Sequence, residues 1–103
     1  DETRALFEEG YEIQDIAVER GLTPATIINH LAKLHKEQGL DISVAHPGDE
    51  VVEQVRKIYK RLMKRQSAEN FSEEGAIKLR PIVEETNPRM GYDQVRLALL
   101  FVE

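Results

Sequence analysis

Five side chains that suit contact with a nucleic acid recur along one side of the segment after Pro24. An asparagine amide can pair with the edge of an adenine, and a lysine ammonium group binds phosphate oxygens. Small residues at the start of the segment would let it approach a groove closely. The same residue types also form ordinary solvated helix faces, so both interpretations stay open. The five candidates are Thr26, Asn29, His30, Lys33 and Lys36.

A second set of cations lies between Asp49 and Gln66, in a pattern typical of an amphipathic helix. Apolar residues from Val51 to Met63 fall on one arc, and basic side chains cover the other. With six basic and three acidic side chains, this segment is cationic in a chain of formal net charge −5. It predicts a strip that binds phosphates without sequence preference, with a solubilising surface as the alternative. The six cations are Arg56, Lys57, Lys60, Arg61, Lys64 and Arg65.

Acidic residues elsewhere in the chain oppose contact with DNA. Residues 1–40 carry four basic and eight acidic side chains, and Glu12, Asp15 and Glu19 recur along one predicted helix. Packed helices lie roughly 8–10 Å apart, which is close to the Debye length at physiological salt, so these acids can repel a phosphate at a neighbouring helix. If they face the docking side, a protein becomes a better partner than DNA.

The sequence contains no recognisable catalytic or metal-binding pattern. Because the chain has no cysteine, it has no disulfide and no thiolate metal site. Neither a phosphate-binding glycine loop nor a metalloprotease motif is present, and adjacent glutamates such as Glu8 and Glu9 diverge on a helix. His30 and His35 are five residues apart and do not share a face, which argues against a shared metal site; His35 falls near the middle of the apolar face and is predicted to pack there. We therefore predict a non-catalytic chain without a cofactor of its own.

The first forty residues predict three short helices that would position the first set of candidates. The inward side of the first helix would hold Ala5, Leu6 and Phe7. A glycine follows each helix, and glycine is the residue that most easily ends one in the left-handed conformation. The three glycines are Gly10, Gly21 and Gly39.

The second and third helices have the spacing of a helix-turn-helix motif. Thr23 is a typical N-cap, and Pro24 suits the first helical position because its missing N–H costs nothing there. Ala17, Gly21 and Ile27 supply the small residue, the turn glycine and the buried apolar residue that two crossed helices need. The predicted inner face is completed by Leu22, Leu31 and Leu34.

A short extended stretch and a long helix are predicted to follow. Leu40, Ile42 and Val44 alternate with polar or small residues, which is the pattern of a strand. Asp49 can cap the fourth helix, which runs to about Gln66 with acids in its first turn and cations in its last.

Further short helices complete the prediction. Asn70 or Ser72 opens a fifth helix, and Pro81 kinks or splits the segment that follows. The terminal helix over 93–102 is apolar on all sides at 97–102, so we expect part of it to pack on a second copy or on a neighbouring region of a longer protein. No apolar run approaches the roughly 20 residues of a membrane span.

The sequence thus predicts an all-α fold with one domain over residues 1–103. A helix-turn-helix core at 1–40 would precede an extension at 41–103, made of a long amphipathic helix and two to three further short helices. Because the chain begins at Asp1 rather than at a methionine, we expect it to be part of a larger protein.

Two blocks of the sequence resemble the helix-turn-helix domain at the C-terminal end of some bacterial RecQ-type DNA helicases. The first block runs from Gly10 to Leu31. The second runs from Met90 to Leu99, where a tyrosine precedes an amphipathic helix that carries an arginine. The first block alone is also similar to the DNA-binding output domain of LuxR-type transcription regulators.

The RecQ-type resemblance implies an accessory module that binds DNA or positions the substrate. Because the chain is acidic, we expect its DNA binding to be weak and salt-sensitive. Its parent would be an ATP-dependent helicase of the bacterial cytoplasm that acts in recombination and repair. The ATP and Mg sites would lie in the other domains of that parent, which would also be partners of this module. Two further hypotheses stay open: a protein-interaction or dimerisation module without nucleic-acid contact, and the output domain of a transcription regulator.

Overall fold

The computed structural model describes residues 1–65 and 78–102. The described residues form helices and contain no strand, which confirms the predicted all-α class. The chain divides into two compact units, Asp1–His46 and Pro47–Glu103. The helices are α1 (Glu2–Glu8), α2 (Ile13–Arg20), α3 (Pro24–Gln38), α4 (Asp49–Arg65), α5 (Leu79–Glu85) and α6 (Tyr92–Leu99).

The first unit is built from α1, α2 and α3, which pack on one another. Ile16, Ile27 and Leu31 lie at the centre of this unit and are completely buried. Fully burying such a side chain contributes about 1.5–3 kcal/mol, so these contacts dominate the stability of the unit. The buried apolar residues of the unit are Phe7, Ile16, Ala17, Ile27, Ile28, Leu31, Leu34, Leu40 and Ile42.

Two details of the predicted inner face are wrong. In α1 the buried residues are Thr3 and Phe7, whereas Ala5 is exposed. Residues four apart share a helix face, so once Phe7 is buried the position that joins it is Thr3. Leu22 is also exposed, because it lies in the turn after α2 and not on either helix.

The turn between α2 and α3 confirms the helix-turn-helix prediction. Gly21 ends α2 in the left-handed conformation, with φ of 66°. The Leu22 N–H then donates to the carbonyl of Ala17 at 2.9 Å, which satisfies one of the last free carbonyls of α2. The Thr23 hydroxyl accepts the N–H of Thr26 at 3.2 Å, and α3 begins at Pro24. The turn is therefore defined at both ends by hydrogen bonds.

The segment after α3 is not extended, contrary to the prediction. Residues Ser43–Ala45 form a single 3-10 turn, and Val44 is 81% exposed. The cause is the Asp41 carboxylate, which accepts the Ser43 N–H at 2.9 Å and gives the backbone a local partner in place of a strand neighbour. This hydrogen bond is also the main reason why the pKa of Asp41 is lowered.

His35 does not pack among apolar side chains, so that prediction is wrong as well. The residue is exposed, and its Nδ1–H donates to the carbonyl of Leu40 at 2.7 Å. His35 lies in the last turn of α3, where the chain folds back past Gly39 and brings the Leu40 carbonyl within reach. The imidazole thus fixes the path of the chain after the helix.

The second unit is built from α4, α5 and α6, which also pack on one another. Pro81 neither kinks nor splits α5, because it lies in the first turn, where the backbone N–H groups have no helical partner. The predicted start of a helix at Asn70 or Ser72 lies outside the described residues. The buried residues of this core are Val52, Val55, Ile58, Leu62, Ile82, Val83, Val95 and Ala98.

The terminal helix is shorter than predicted and only partly buried. It ends at Leu99, and a turn at Leu100 and Phe101 follows. Of residues 97–102, Ala98 is buried and the others are half-buried. Self-association through this segment stays a prediction.

We predict that the left-handed backbone at Gly21 makes the helix-turn-helix sensitive to substitution there. No atom outside the turn lies within 4 Å of a Cβ at this position, so the effect of Gly21→Ala is conformational and not steric. The left-handed conformation costs a residue with a Cβ roughly 1–2 kcal/mol, and asparagine tolerates it better than alanine. Urea unfolding followed by circular dichroism should therefore give a lower stability for Gly21→Ala than for Gly21→Asn. Equal stability of the wild type and Gly21→Ala would contradict the observed turn.

Candidate nucleic-acid interface

The outward face of α3 carries three of the five predicted contact residues. Asn29, Lys33 and Lys36 are exposed, and they lie on the side of the helix opposite Ile27 and Leu31. They are four and three residues apart, so they form one ridge along the helix. We call these three residues the α3 ridge.

Thr26 is half-buried at the edge of this ridge. Its hydroxyl lies 2.9 Å from the hydroxyl of Thr23, and its N–H donates to the same Thr23 oxygen. Thr26 therefore belongs to the cap of α3. Its methyl and hydroxyl groups border the turn.

His30 is not part of the α3 ridge, because its ring turns toward α1. The Nδ1 atom lies 3.0 Å from the hydroxyl of Thr3 and 3.3 Å from Nη1 of Arg20. The residue is half-buried, and these contacts engage one edge of the imidazole. The structure thus separates His30 from the residues with which the sequence grouped it.

The contacts of His30 belong to a polar cluster that joins all three helices of the first unit. We define the Thr3 cluster as Thr3 of α1, Arg20 of α2 and His30 of α3. The Arg20 guanidinium donates to the Thr3 hydroxyl at 2.5 Å and also lies 3.5 Å from the Glu2 carboxylate. Since Thr3 is completely buried, its hydroxyl needs a partner, and Arg20 and His30 supply one from each neighbouring helix.

Sequence reasoning missed the Thr3 cluster. A threonine in the first turn of a short helix is ordinary, and Arg20 follows the pattern of a cation near a helix C-terminus. The available signal was the four-residue spacing of Thr3 and Phe7, which puts the threonine on the buried face. His30 would then have been the nearest polar side chain on α3 that can reach it.

The acids at the N-cap of α2 and along the helix are exposed, as the sequence indicated they could be. Glu12, Asp15 and Glu19 all lie at the surface of the first unit. Within the part of the chain that the structure describes, none of the three takes part in an ion pair. Val18, which lies between Asp15 and Glu19, is 81% exposed. This surface of α2 therefore combines negative charge with an exposed aliphatic side chain.

The second unit carries a cationic ridge along α4. Lys57, Lys60 and Lys64 are exposed and recur three and four residues apart, opposite the buried face that contains Val55 and Ile58. Across residues 1–65 and 78–102 these lysines have no ion-pair partner. We call them the α4 ridge.

The other predicted cations of α4 lie to the sides of this ridge. Arg56 pairs with Glu53 of the same helix, and Arg61 pairs with Glu85 of α5. The ion pair of Arg61 joins two helices, so this arginine contributes to the packing of the second unit. Arg65 is exposed at the end of the helix.

The described residues contain no arrangement for metal chemistry and no membrane-crossing helix. No group of three or more histidine, aspartate or glutamate side chains among them is placed to hold a metal ion. None of the helices in 1–65 and 78–102 combines the length and the apolar character that a membrane crossing requires.

The first unit is a helix-turn-helix: α2 and α3 are joined by the turn at Gly21, and α1 packs on both of them. The family model described as a helix-turn-helix domain matches residues 1–99, and the chain belongs to that family. The chain is also similar to a protein of Psychrobacter sp. (strain PRwf-1) named ATP-dependent DNA helicase Pif1, with 29% identity over 117 aligned residues. That alignment covers 98% of this chain and 18% of the relative's length. No solved structure matches the chain significantly.

We predict that removal of the Thr3 hydroxyl destabilises the first unit. Thr3→Val keeps the shape of the side chain but leaves Arg20 and His30 without their shared partner, which should cost about 1–3 kcal/mol in the free energy of unfolding. Thr26→Val is the matched control, since water can replace a hydroxyl at this less buried position. Equal unfolding free energies of Thr3→Val and Thr26→Val in urea would show that the cluster adds nothing to stability.

Proposed function

We propose that the chain is a non-catalytic DNA-binding accessory module of a DNA helicase. The observation that carries this proposal is the α3 ridge, which leaves an amide and two ammonium groups exposed on the second helix of a helix-turn-helix. In DNA-binding proteins of this fold, that helix enters the major groove. The fold also serves other functions, so the chemistry of the exposed face and not the fold itself supports the proposal.

The assignment to a helicase rests on sequence similarity. The relative named ATP-dependent DNA helicase Pif1 is far longer than this chain, which spans 18% of it. We infer that the parent of this chain unwinds DNA with ATP and Mg bound by its other domains. The RecQ-type resemblance of residues 10–31 and 90–99 leads us to propose a RecQ-like parent that acts in recombination and repair in a bacterial cytoplasm.

The α3 ridge can hold DNA by two kinds of contact. Lys33 and Lys36 can each neutralise one phosphate, and the release of counterions then favours binding at low salt. Asn29 can form a paired hydrogen bond with an adenine edge if the helix lies in the major groove. Two phosphate contacts are few, so binding through this ridge alone is expected to be weak and salt-sensitive.

The α4 ridge can hold a phosphate backbone without reading sequence. Lys57 and Lys64 are seven residues apart, or about 10 Å along the helix axis. One strand of B-DNA advances about 3.4 Å per nucleotide, so the three lysines span about three nucleotides. Within residues 1–65 and 78–102, none of the three lysines has an acid partner that would compete with a phosphate.

We predict that the α3 ridge contributes a defined part of the salt dependence of DNA binding. For a duplex, log affinity falls as log salt concentration rises. In the Lys33→Gln/Lys36→Gln variant the magnitude of this slope should be smaller by about 2, since each lysine neutralises one phosphate. Lys78→Gln removes an exposed lysine outside both ridges and should leave the slope unchanged. If the double variant keeps the wild-type slope, the α3 ridge does not contact phosphates.

A separate prediction concerns the α4 ridge. The Lys57→Gln/Lys60→Gln/Lys64→Gln variant should reduce the magnitude of the slope on both forms of DNA, by about 2.7 for a duplex and about 2 for a single strand, because backbone contacts do not depend on base pairing. The side chains are exposed, so the circular dichroism spectrum and the urea midpoint should match those of the wild type. A salt slope equal to that of Lys78→Gln would assign the α4 ridge a solubilising role only.

The exposed surface of α2 favours a second candidate function, which is protein interaction. Val18 is 81% exposed between Asp15 and Glu19, and Leu22 is exposed in the turn that follows. An exposed apolar side chain with acids beside it can pack on a protein surface that carries basic residues, whereas the acids repel the phosphates of DNA. The other domains of the parent protein are the partners that this hypothesis names.

Three binding outcomes distinguish the functions. Binding to forked or single-stranded DNA supports the helicase module, whereas strong preference for one duplex sequence supports the output domain of a transcription regulator. Absence of DNA binding at low salt, together with loss of partner binding in Val18→Ser, supports the interaction module. Val18→Ser should not change stability, because the side chain is already in solvent.

A further inference from the structure

We propose that the second unit contains a stacking site for an unpaired nucleobase, formed by Tyr92 with Arg89 and Lys57 as flanking cations. This inference rests on the proposed function, because it names the form of nucleic acid that the module takes. The proposal is that the second unit binds a single-stranded nucleic acid at this site. Stacking on an aromatic ring does not require a particular base, so the site would hold any sequence.

The exposure of Tyr92 is the first observation behind the site. Tyr92 is the first residue of α6, and 45% of its surface is exposed. Tyr59 of the same unit is partly buried and packs against the core, whereas Tyr92 is the more exposed of the two rings. Part of the aromatic surface of Tyr92 is therefore available to a ligand.

The loop that leads into Tyr92 is held by hydrogen bonds. The buried Thr86 hydroxyl donates to the carbonyl of Val83 at 2.8 Å and accepts the N–H of Met90 at 2.8 Å. The N–H of Asn87 donates to the side-chain oxygen of Gln54 on α4, also at 2.8 Å. These bonds tie the loop to both α5 and α4, so Tyr92 and its neighbours are positioned before a ligand binds. A preorganised site loses less entropy on binding.

Cations lie on the loop and on the part of α4 to which the loop is bonded. Arg89 is exposed in the loop, and the described residues offer it no ion-pair partner. Arg96, by contrast, pairs with Asp93 at 2.7 Å. Lys57 is three residues from Gln54 and thus one turn further along α4. Arg89 lies three residues before Tyr92, and Lys57 lies on the helix to which the loop is bonded, so both can contribute phosphate contacts to a strand whose base stacks on Tyr92.

The two ridges provide no such ring. The α3 ridge consists of one asparagine and two lysines, and the α4 ridge consists of three lysines. Both can bind phosphates, but neither can stack a base. Among the aromatic residues of the second unit that the structure describes, Tyr92 is the most exposed. Tyr11 of the first unit is also exposed, at 39%, so substitution of Tyr92 itself must show whether a preference for strands with bases arises in the second unit.

The test compares two single strands with equal charge. One is an oligothymidine of about 10 nucleotides, and the other is an abasic strand of the same length, which keeps the phosphates and lacks the bases. Fluorescence anisotropy of labelled strands, titrated with the wild type, Tyr92→Phe and Tyr92→Leu, gives the affinity ratio for the two strands. A duplex of the same length, titrated in parallel, reports binding through the ridges.

The wild type and Tyr92→Phe should bind oligothymidine roughly tenfold more tightly than the abasic strand, whereas Tyr92→Leu should bind both equally. Arg89→Gln should weaken binding to both strands by the same factor. A wild-type ratio near one, or an unchanged ratio in Tyr92→Leu, would overturn the stacking site. If duplex binding persists in that case, the proposed function stands without it. If neither duplex nor single strands bind at low salt, the proposed function fails as well.

Discussion

The rotation of α3 about its own axis is the constraint on which the candidate interface depends. Ile27, Leu31 and Leu34 recur at helical spacing, and their burial fixes which side of the helix faces α1 and α2. Asn29 and Lys33 must then face outward. Turning α3 far enough to hide these polar side chains would expose apolar ones that each contribute about 1.5–3 kcal/mol, so the core determines the outward surface.

Charge segregation explains how an acidic chain can present surfaces for phosphate. The net charge is −5, but the cations of the two ridges are concentrated on single faces of α3 and α4, and the acids of α2 lie on another helix. At physiological salt a charge is screened over about 8 Å, so a bound phosphate responds mainly to the nearest side chains. Local charge therefore matters more for binding than the net charge. The acids of α2 limit how strongly the first unit can attract DNA from a distance.

The sequence predicted the features that follow from local rules. The N-cap Thr23, the turn at Gly21 and the amphipathic pattern of α4 each depend on residues close together in the chain, and all three are present. Partnerships between distant residues were missed, because nothing in the spacing of Thr3 and His30 shows that α1 meets α3. For the same reason, the sequence did not predict the ion pair between Arg61 and Glu85, which joins α4 and α5. The extended stretch predicted at residues 40–44 was wrong because the alternation of apolar and polar residues gives no information about the hydrogen bond between the Asp41 carboxylate and the Ser43 N–H.

We propose that DNA binds to the outward face of α3, which the packing of the core orients toward solvent. The most direct measurement is a titration of the ¹⁵N-labelled chain with a short duplex at low salt, followed by amide chemical shifts. We expect the largest shifts at the outward positions of α3, around Asn29, Lys33 and Lys36, with small shifts at α1 and at the Thr3 cluster. Shifts centred on α2 around Val18, or none on α3, would contradict the proposal.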